Sequence, residues 1–145
     1  MVAFAMLLGS CEKEKNDVIP DVYVSFTIDL NDPEFTSLTS LFGSAYVNSN
    51  TNNWGTRAAG YNSNGIIVFT GADEFYAYDR TCPHDYVEND ISVKVNIDFI
   101  QAICPSCSTH YSLSTGGNPI SGPGRYPLKN YKTSYSGNYV TVWNY

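Results

Sequence analysis

The chain has 145 residues, enough for a single domain with a hydrophobic core of its own. Charged residues make up 15% of it and aromatic residues 14%, which excludes the charge-rich, aromatic-poor class of disordered proteins. The formal charge is −6 and the 8 Lys and Arg are scattered, so there is no basic stripe to bind a phosphate backbone and nucleic acid is not an expected partner.

Residues 1–11 resemble the signal peptide of a bacterial lipoprotein. An apolar run at 2–9 is followed by small residues and Cys11, as in the lipobox that precedes a lipid-modified cysteine, although no basic residue comes before the run. The run is too short to span a bilayer as a helix. We therefore expect Cys11 to be lipidated, residues 12–20 to be a tether, and residues 21–145 to be a domain anchored by lipid in a bacterial cell envelope, periplasmic or surface-facing.

The remaining cysteines are Cys82, Cys104 and Cys107. Three thiols in an exported protein cannot all pair as internal disulfides. This odd number indicates either metal ligation or one disulfide with a free thiol.

The domain begins with an alternating apolar segment at 22–30, which predicts a strand. Asp32 and Pro33 then form a helix-start signal, and Phe35 and Leu38 follow at roughly helical spacing, so a short helix is predicted. The Asn- and Ser-rich segment at 48–65 predicts a long hairpin or surface loop.

Two apolar segments at 65–70 and 74–79, joined by a short turn, predict a β-hairpin. Further strands are predicted as a pair within 91–99 and at 101–103, 111–113, 126–131 and 139–143. The fold class is therefore all-β and mainly antiparallel.

Two short segments between the predicted strands carry candidate metal ligands. We call Cys82-Pro83-His84 the first metal loop and Cys104-Pro-Ser-Cys107 the second metal loop. Four thiol and imidazole ligands from two loops are the arrangement that iron–sulfur clusters and structural zinc sites require. The acidic residues after the first loop, Asp85, Glu88 and Asp90, are expected to form a solvated loop.

The chain from about residue 65 to its end resembles a Rieske domain. The first metal loop matches the family's Cys-x-His motif, and the second matches the Cys-Pro that opens its second motif. Further matches are Tyr111, Thr115-Gly116, Gly122-Pro123 and Pro127-Leu128 with Tyr131. The chain is most similar to Rieske-like lipoproteins of Bacteroidetes-type bacteria. The resemblance implies layered antiparallel sheets with a metal-binding loop subdomain, here about residues 80–125, at one tip.

The resemblance also implies a [2Fe–2S] cluster and a one-electron carrier, rather than an enzyme, whose redox partner protein is not identified by the sequence. Its ligands would be Cys82, His84, Cys104 and Cys107, with Cys82 and Cys104 on the inner iron. The family has a second His where this chain has Cys107, and a shifted motif ending at His110 is the alternative. A Rieske-like domain holding a structural zinc, or no metal and a disulfide, is the other interpretation.

Overall fold

The computed structural model describes residues 18–145. The predicted signal peptide with Cys11, and residues 12–17 of the predicted tether, lie outside the described residues. The described chain is mostly β, as predicted, and its strands form two antiparallel sheets. The strands are β1 (Ser25–Asp29), β2 (Ser44–Val47), β3 (Ile66–Thr70), β4 (Phe75–Asp79), β5 (Asn96–Asp98), β6 (Gln101–Ile103), β7 (His110–Ser112), β8 (Pro119–Ser121), β9 (Asn130–Ser136) and β10 (Tyr139–Trp143).

The larger sheet has six strands in the order β1–β10–β9–β4–β3–β2. The predicted hairpin is confirmed as β3 and β4, which pair in antiparallel register. Four consecutive apolar residues of β3 are fully buried, because the strand packs on both faces. Ile66 and Val68 belong to a first hydrophobic core shared with β1 and β10, whereas Ile67 and Phe69 belong to a second core shared with the smaller sheet.

A short 3₁₀ helix, Pro33–Thr39, lies where the sequence predicts a helix. The Asp32 carboxylate accepts a hydrogen bond from the backbone N–H of Glu34 at 3.0 Å, which caps the first turn. Phe35 and Leu38 pack into the first core. The helix is short and kinked at Phe35, but it still contributes two apolar side chains to the first core.

The segment at 48–65 forms three short 3₁₀ turns rather than a hairpin. Its Trp54 stacks on Phe26 and Phe35, with ring centroids 5.0 and 6.0 Å away. These contacts explain how a long, polar segment is held against the larger sheet. Aromatic packing is thus the role of Trp54 in this structure.

The segment before β1 is attached to the domain through Lys129. The buried ammonium donates hydrogen bonds to the carbonyl of Ile19 at 3.0 Å and to the carboxylate of Asp21 at 2.5 Å. Ile19 is itself 1% exposed. The end of the predicted tether is therefore packed against the domain from Ile19 onwards. Among residues 18–145, no helix is long and apolar enough to cross a membrane.

The smaller sheet, in the order β5–β6–β7–β8, is inserted between β4 and β9. The chain leaves β4 at Asp79 and enters β9 at Asn130, and these two strands are neighbours in the larger sheet. The inserted residues, 80–129, include both metal loops. One continuous segment therefore carries both predicted sets of ligands.

Several local predictions in this inserted segment are wrong. The segment at 91–99, predicted to form a pair of strands, contains the single strand β5. Strand β8 was not predicted. The strand predicted at 126–131 is β9, which begins only at Asn130. The residues after Cys82 form helix α1 (Pro83–Asn89) instead of a loop. Pro83 suits the first helical turn, and Asp90, with a φ of 53°, ends the helix in the left-handed region.

Candidate metal centre

The first metal loop places Cys82 directly before helix α1. The Cys82 backbone N–H donates a hydrogen bond to the carbonyl of Val93 at 2.8 Å, which fixes the start of the helix against the segment leading to β5. Residues three apart near the start of a helix lie on the same side of it. Asp85, three residues after Cys82, is accordingly fully buried beside the cysteine rather than exposed.

The second metal loop is the tip of the β6–β7 hairpin. The Cys104 N–H donates to the carbonyl of Thr109, and the Ser108 N–H donates to the carbonyl of Cys104, both at 3.0 Å. Ser108 has a φ of 62°, which reverses the chain within this short turn. The turn presents Cys104 and Cys107 towards the start of α1.

The two loops bring four potential ligands together. One ligand atom each from Cys82, Asp85, Cys104 and Cys107 lies within 4.8 Å of the others. The sulfurs of Cys82 and Cys107 are 3.7 Å apart, and the Cys104 sulfur is 2.9 Å from a carboxylate oxygen of Asp85. All three cysteines are free thiols, so their sulfurs are available to a metal ion. Three thiols and a carboxylate are a donor set suited to iron or zinc.

Asp85 is the residue of this group that the sequence did not predict. Its carboxylate accepts hydrogen bonds from the Cys104 thiol and from the Asn89 side-chain amide, the latter at 2.7 Å. Desolvation alone would raise the pKa of Asp85, but these hydrogen bonds lower it below its ordinary value. The expectation that Asp85 belongs to a solvated loop is therefore wrong, because helix α1 turns the side chain inwards. A carboxyl group three residues after Cys82 was the available signal.

The three thiols differ in their ease of ionisation. Hydrogen bonding with Cys104 lowers the pKa of Cys82, although burial opposes this effect. The same contact, together with burial and the Asp85 carboxylate, raises the pKa of Cys104. Burial also raises the pKa of Cys107. Since the thiolate is the form that binds a metal, binding would release protons from this group.

Two hydroxyl side chains contact the sulfurs of Cys82 and Cys107. The Tyr111 hydroxyl is 3.2 Å from the Cys82 sulfur, and the Cys107 thiol donates to the Thr109 hydroxyl at 3.1 Å. Burial and the neighbouring Cys82 raise the pKa of Tyr111, so its hydroxyl remains protonated at neutral pH. The site thus has hydroxyl groups next to two of its sulfurs.

Residues 122–124, the glycine–proline loop, lie against the second metal loop. The Gly124 N–H donates to the Thr109 hydroxyl at 3.0 Å, and a Cβ on Gly122 would lie 2.7 Å from the Thr109 Cα. Thr109 therefore connects this loop to Cys107. The loop is therefore packed against the tip of the β6–β7 hairpin.

The two histidines lie outside the group of four ligand atoms. His84, in the first turn of α1, is half-buried and lines a shallow depression of about 350 Å³ with Glu88, Pro123, Arg125 and Tyr126. His110 lies on β7, where its Nδ1 is 2.8 Å from the side-chain oxygen of Gln101. The structure thus brings together three of the four ligands proposed from the sequence, and the half-buried His84 is not part of that group.

Known proteins match this chain only at the level of three-dimensional structure. No family model and no curated protein matches it. The solved complex of reduced oxygenase and oxidised ferredoxin in carbazole 1,9a-dioxygenase contains a similar chain, with 21% identity, covering 69% of this chain and 79% of that one, at a TM-score of 0.46. The ferredoxin of carbazole 1,9a-dioxygenase from Nocardioides aromaticivorans IC177 has 18% identity, coverage of 57% and 77%, and a TM-score of 0.41.

The plasma membrane Rieske protein PetC3 from the cyanobacterium Synechocystis PCC 6803 is also similar. It has 19% identity, coverage of 68% of this chain and 97% of its own, and a TM-score of 0.46. At such low identity and TM-score nothing about ligands or activity is carried over from these structures. The chemistry proposed below depends on the residues of this chain.

Proposed function

We propose that this protein is a one-electron carrier with an iron–sulfur centre bound between its two metal loops. The observation that carries the proposal is the convergence of three unpaired thiols, Cys82, Cys104 and Cys107, from separate loops. An iron–sulfur centre bound by such thiolates takes up and releases single electrons. The sequence resemblance supports a [2Fe–2S] cluster rather than another iron centre.

The proposed ligands are Cys82, His84, Cys104 and Cys107. Cys82 and Cys104 are both 0% exposed and belong to the second hydrophobic core, whereas Cys107 and His84 are partly exposed. This difference in burial supports an inner pair of thiolates and an outer pair formed by His84 and Cys107. The outer pair would face solvent, where a redox partner could approach.

The outer cysteine also affects the expected reduction potential. A thiolate at Cys107 adds one negative charge compared with a neutral imidazole at that position. Added negative charge opposes the uptake of an electron, so we expect a potential below that of centres with two histidines. The nearby Asp85 carboxylate acts in the same direction.

Anaerobic purification followed by metal analysis and EPR spectroscopy tests this proposal. We expect two irons per chain and a signal that is present only in the reduced protein. A colourless protein that contains no iron, and that gains no signal after reconstitution with iron and sulfide, would contradict the electron-carrier function.

A single structural zinc ion is the second candidate, and the position of Asp85 favours it. Zinc–sulfur bonds of about 2.3 Å at tetrahedral angles separate two ligand sulfurs by about 3.8 Å. The sulfurs of Cys82 and Cys107 are 3.7 Å apart. With Cys104 and Asp85, they form a group of four ligand atoms compact enough for one ion.

The variants Asp85→Asn and His84→Ala distinguish these two candidates. Zinc binding by three thiolates and Asp85 predicts that Asp85→Asn weakens metal binding by at least tenfold while His84→Ala does not. A two-iron centre with His84 as a ligand predicts the reverse. Cobalt titration of the metal-free variants measures binding to a single-ion site, because cobalt–thiolate absorption reports that ligand set. Iron content after reconstitution with iron and sulfide measures binding of the two-iron centre.

We also propose that the protein is exported and anchored in the cell envelope by a lipid on Cys11. The apolar run and the small residues before Cys11 support this proposal. Mass spectrometry of the protein from its native membranes should find a diacylated N-terminal cysteine at this position. Recovery of the same fraction of protein in membranes after Cys11→Ala would contradict anchoring by lipid.

A further inference from the structure

The two cysteines with sulfurs in contact come from different metal loops. The Cys82 and Cys107 sulfurs are 3.7 Å apart, although 25 positions separate the residues in the sequence. A disulfide needs an S–S distance of about 2.05 Å, so the two sulfurs would have to approach by less than about 2 Å. A small shift of one loop is enough for this approach.

The third thiol has a different partner. The Cys104 sulfur donates a hydrogen bond to Asp85 at 2.9 Å and is 0% exposed. The spacing Cys104-Pro-Ser-Cys107 alone would favour a local disulfide of the Cys-x-x-Cys type. The contact of Cys104 with Asp85 leaves Cys107 facing Cys82 instead.

Access from solvent also differs between the thiols. Cys107 is partly exposed at the tip of the β6–β7 hairpin, between the exposed residues Ser106 and Ser108. Cys82 and Cys104 are both fully buried. An external reagent would therefore reach Cys107 first, and Cys82 would be the nearest internal thiol to complete the reaction.

We propose that, in the metal-free protein, Cys82 and Cys107 form a disulfide by exchange with an external small-molecule disulfide. The Cys107 sulfur attacks the external disulfide, forms a mixed disulfide and releases one thiol. The Cys82 sulfur then attacks the Cys107 sulfur and releases the second thiol. Two protein thiols are oxidised, one external disulfide is reduced to two thiols, and the two protons pass to those leaving thiols.

This disulfide has a consequence for the metal centre. It removes two of the sulfurs that either an iron–sulfur centre or a zinc ion would use. Disulfide formation and metal binding therefore exclude each other at this site, whichever metal is bound. This consequence rests on the proposed metal-binding function, but the disulfide itself does not.

Peptide mapping of the full chain tests the pairing. A Cys11→Ser variant leaves only the three thiols of the site. The metal is removed with a chelator under reducing conditions, oxidised glutathione is added, and remaining thiols are blocked with N-ethylmaleimide. Trypsin cleaves after Arg80, Lys94 and Arg125, so Cys82 lies on one peptide while Cys104 and Cys107 share another.

We expect the two peptides to be cross-linked, with the maleimide on Cys104. Fragmentation before Pro105 separates Cys104 from Cys107 and identifies the bonded sulfur. A dominant Cys104–Cys107 or Cys82–Cys104 bond, or glutathione adducts without an internal bond, would overturn the proposal.

Two further arms complete the experiment. Cys104→Ser should retain the cross-link and Cys107→Ser should lose it, while the map of the parent chain decides the pairing if either variant fails to fold.

Chains loaded with zinc or with iron should not form the cross-link. Formation of the same cross-link with metal retained would overturn the mutual exclusion, whereas failure to bind iron leaves the result for the metal-free chain unaffected.

Discussion

The Tyr111 hydroxyl lies 3.2 Å from the buried Cys82 sulfur. Its aromatic ring is 0% exposed and belongs to the second core, so removing the hydroxyl leaves the ring packing in place. Hydrogen bonds to cluster sulfurs stabilise the reduced, more negative state. The ring of Tyr111 therefore stabilises the core, while its hydroxyl group is placed to influence the reduction potential of the proposed centre.

We predict that Tyr111→Phe lowers the reduction potential of the iron-loaded protein. Loss of the hydrogen bond to Cys82 should also lower the free energy of unfolding by about 1 kcal/mol. Potentiometric titration followed by EPR measures the potential, and urea unfolding measures the stability.

Tyr78→Phe is the matched control for Tyr111→Phe. The Tyr78 hydroxyl donates to the carbonyl of Leu113 at 2.6 Å, and this bond does not involve a sulfur. We expect a similar loss of stability with an unchanged potential. Equal potentials in both variants and the parent chain would show that the Tyr111 hydroxyl does not influence the centre.

Residue types alone identified the three cysteines but not Asp85. In the sequence Asp85 stands with Glu88 and Asp90 in a polar segment, and only the contact between α1 and the second metal loop buries it. That contact joins residues 19 positions apart, so no local pattern could predict it. His84 lies outside the compact group because it is in helix α1, where adjacent side chains point in different directions.

At the scale of elements, the glycine–proline loop depends on close contact with the second metal loop. Gly122 has a φ of 85°, and its Cβ position is blocked by the backbone of Thr109. Thr109 in turn accepts the hydrogen bond of Cys107. A side chain at Gly122 would therefore displace a residue that positions a proposed ligand.

We predict that Gly122→Ala destabilises the fold and exposes Cys107. Alanine at a positive φ costs about 1–2 kcal/mol, and the contact with Thr109 should add about 1–3 kcal/mol. Urea unfolding measures the free energy of unfolding, and the rate of alkylation measures the accessibility of the Cys107 thiol.

Gly116→Ala is a close control, because Gly116 has a φ of 81° but its nearest neighbour to a Cβ, the Asn118 amide, is 3.8 Å away. It should show the backbone strain without faster alkylation of Cys107. Equal losses of stability in both variants would mean that the contact with Thr109 is unimportant.

Local sequence signals were sufficient for some elements and not for others. The β3–β4 hairpin and β10 were predictable because strong β-formers at 66–70, 75–79 and 139–143 adjoin clear turns. The start of β9 was not predictable, because the β-forming Tyr126 and Tyr131 favour a strand over 126–131, whereas Pro127 and Leu128 are buried before β9 begins. The short strands of the smaller sheet were not all predictable, because whether such a short segment forms a strand is decided by packing against neighbouring strands more than by its own residue types.

At the scale of the whole molecule, two hydrophobic cores lie on the two faces of β3. Buried tyrosines contribute to both, with Tyr131 in the first core and Tyr78 in the second. Burial raises the pKa of each hydroxyl, with Asp79 contributing at Tyr131. The Tyr131 hydroxyl donates to the Asp79 carboxylate at 2.6 Å, so its ionisation would bring two negative charges together.

We predict that the protein loses stability as the pH rises above about 10, the ordinary pKa of a phenol. These tyrosines have a higher pKa in the folded state than in the unfolded state, so their contribution is complete below pH ~10 and is lost above it. Each such tyrosine should reduce the free energy of unfolding by up to about 1.4 kcal/mol per pH unit. Urea unfolding at a series of alkaline pH values measures this slope.

Tyr131→Phe is the control for the alkaline transition, and it should reduce the slope by removing one of these groups. Tyrosinate absorbance of the buried residues should appear together with loss of the circular dichroism signal. Complete ionisation of all tyrosines with the fold retained would contradict the prediction.

The insertion of residues 80–129 between two adjacent strands has a consequence for redesigning the chain. Because the chain departs from and rejoins the larger sheet at neighbouring points, a tight turn could connect β4 directly to β9. The larger sheet could then keep its strand order with a different inserted segment, provided that this segment also covers Ile67 and Phe69 on the second face of β3. A replacement segment without the ligands should therefore fold on this scaffold only if it offers a comparable apolar face.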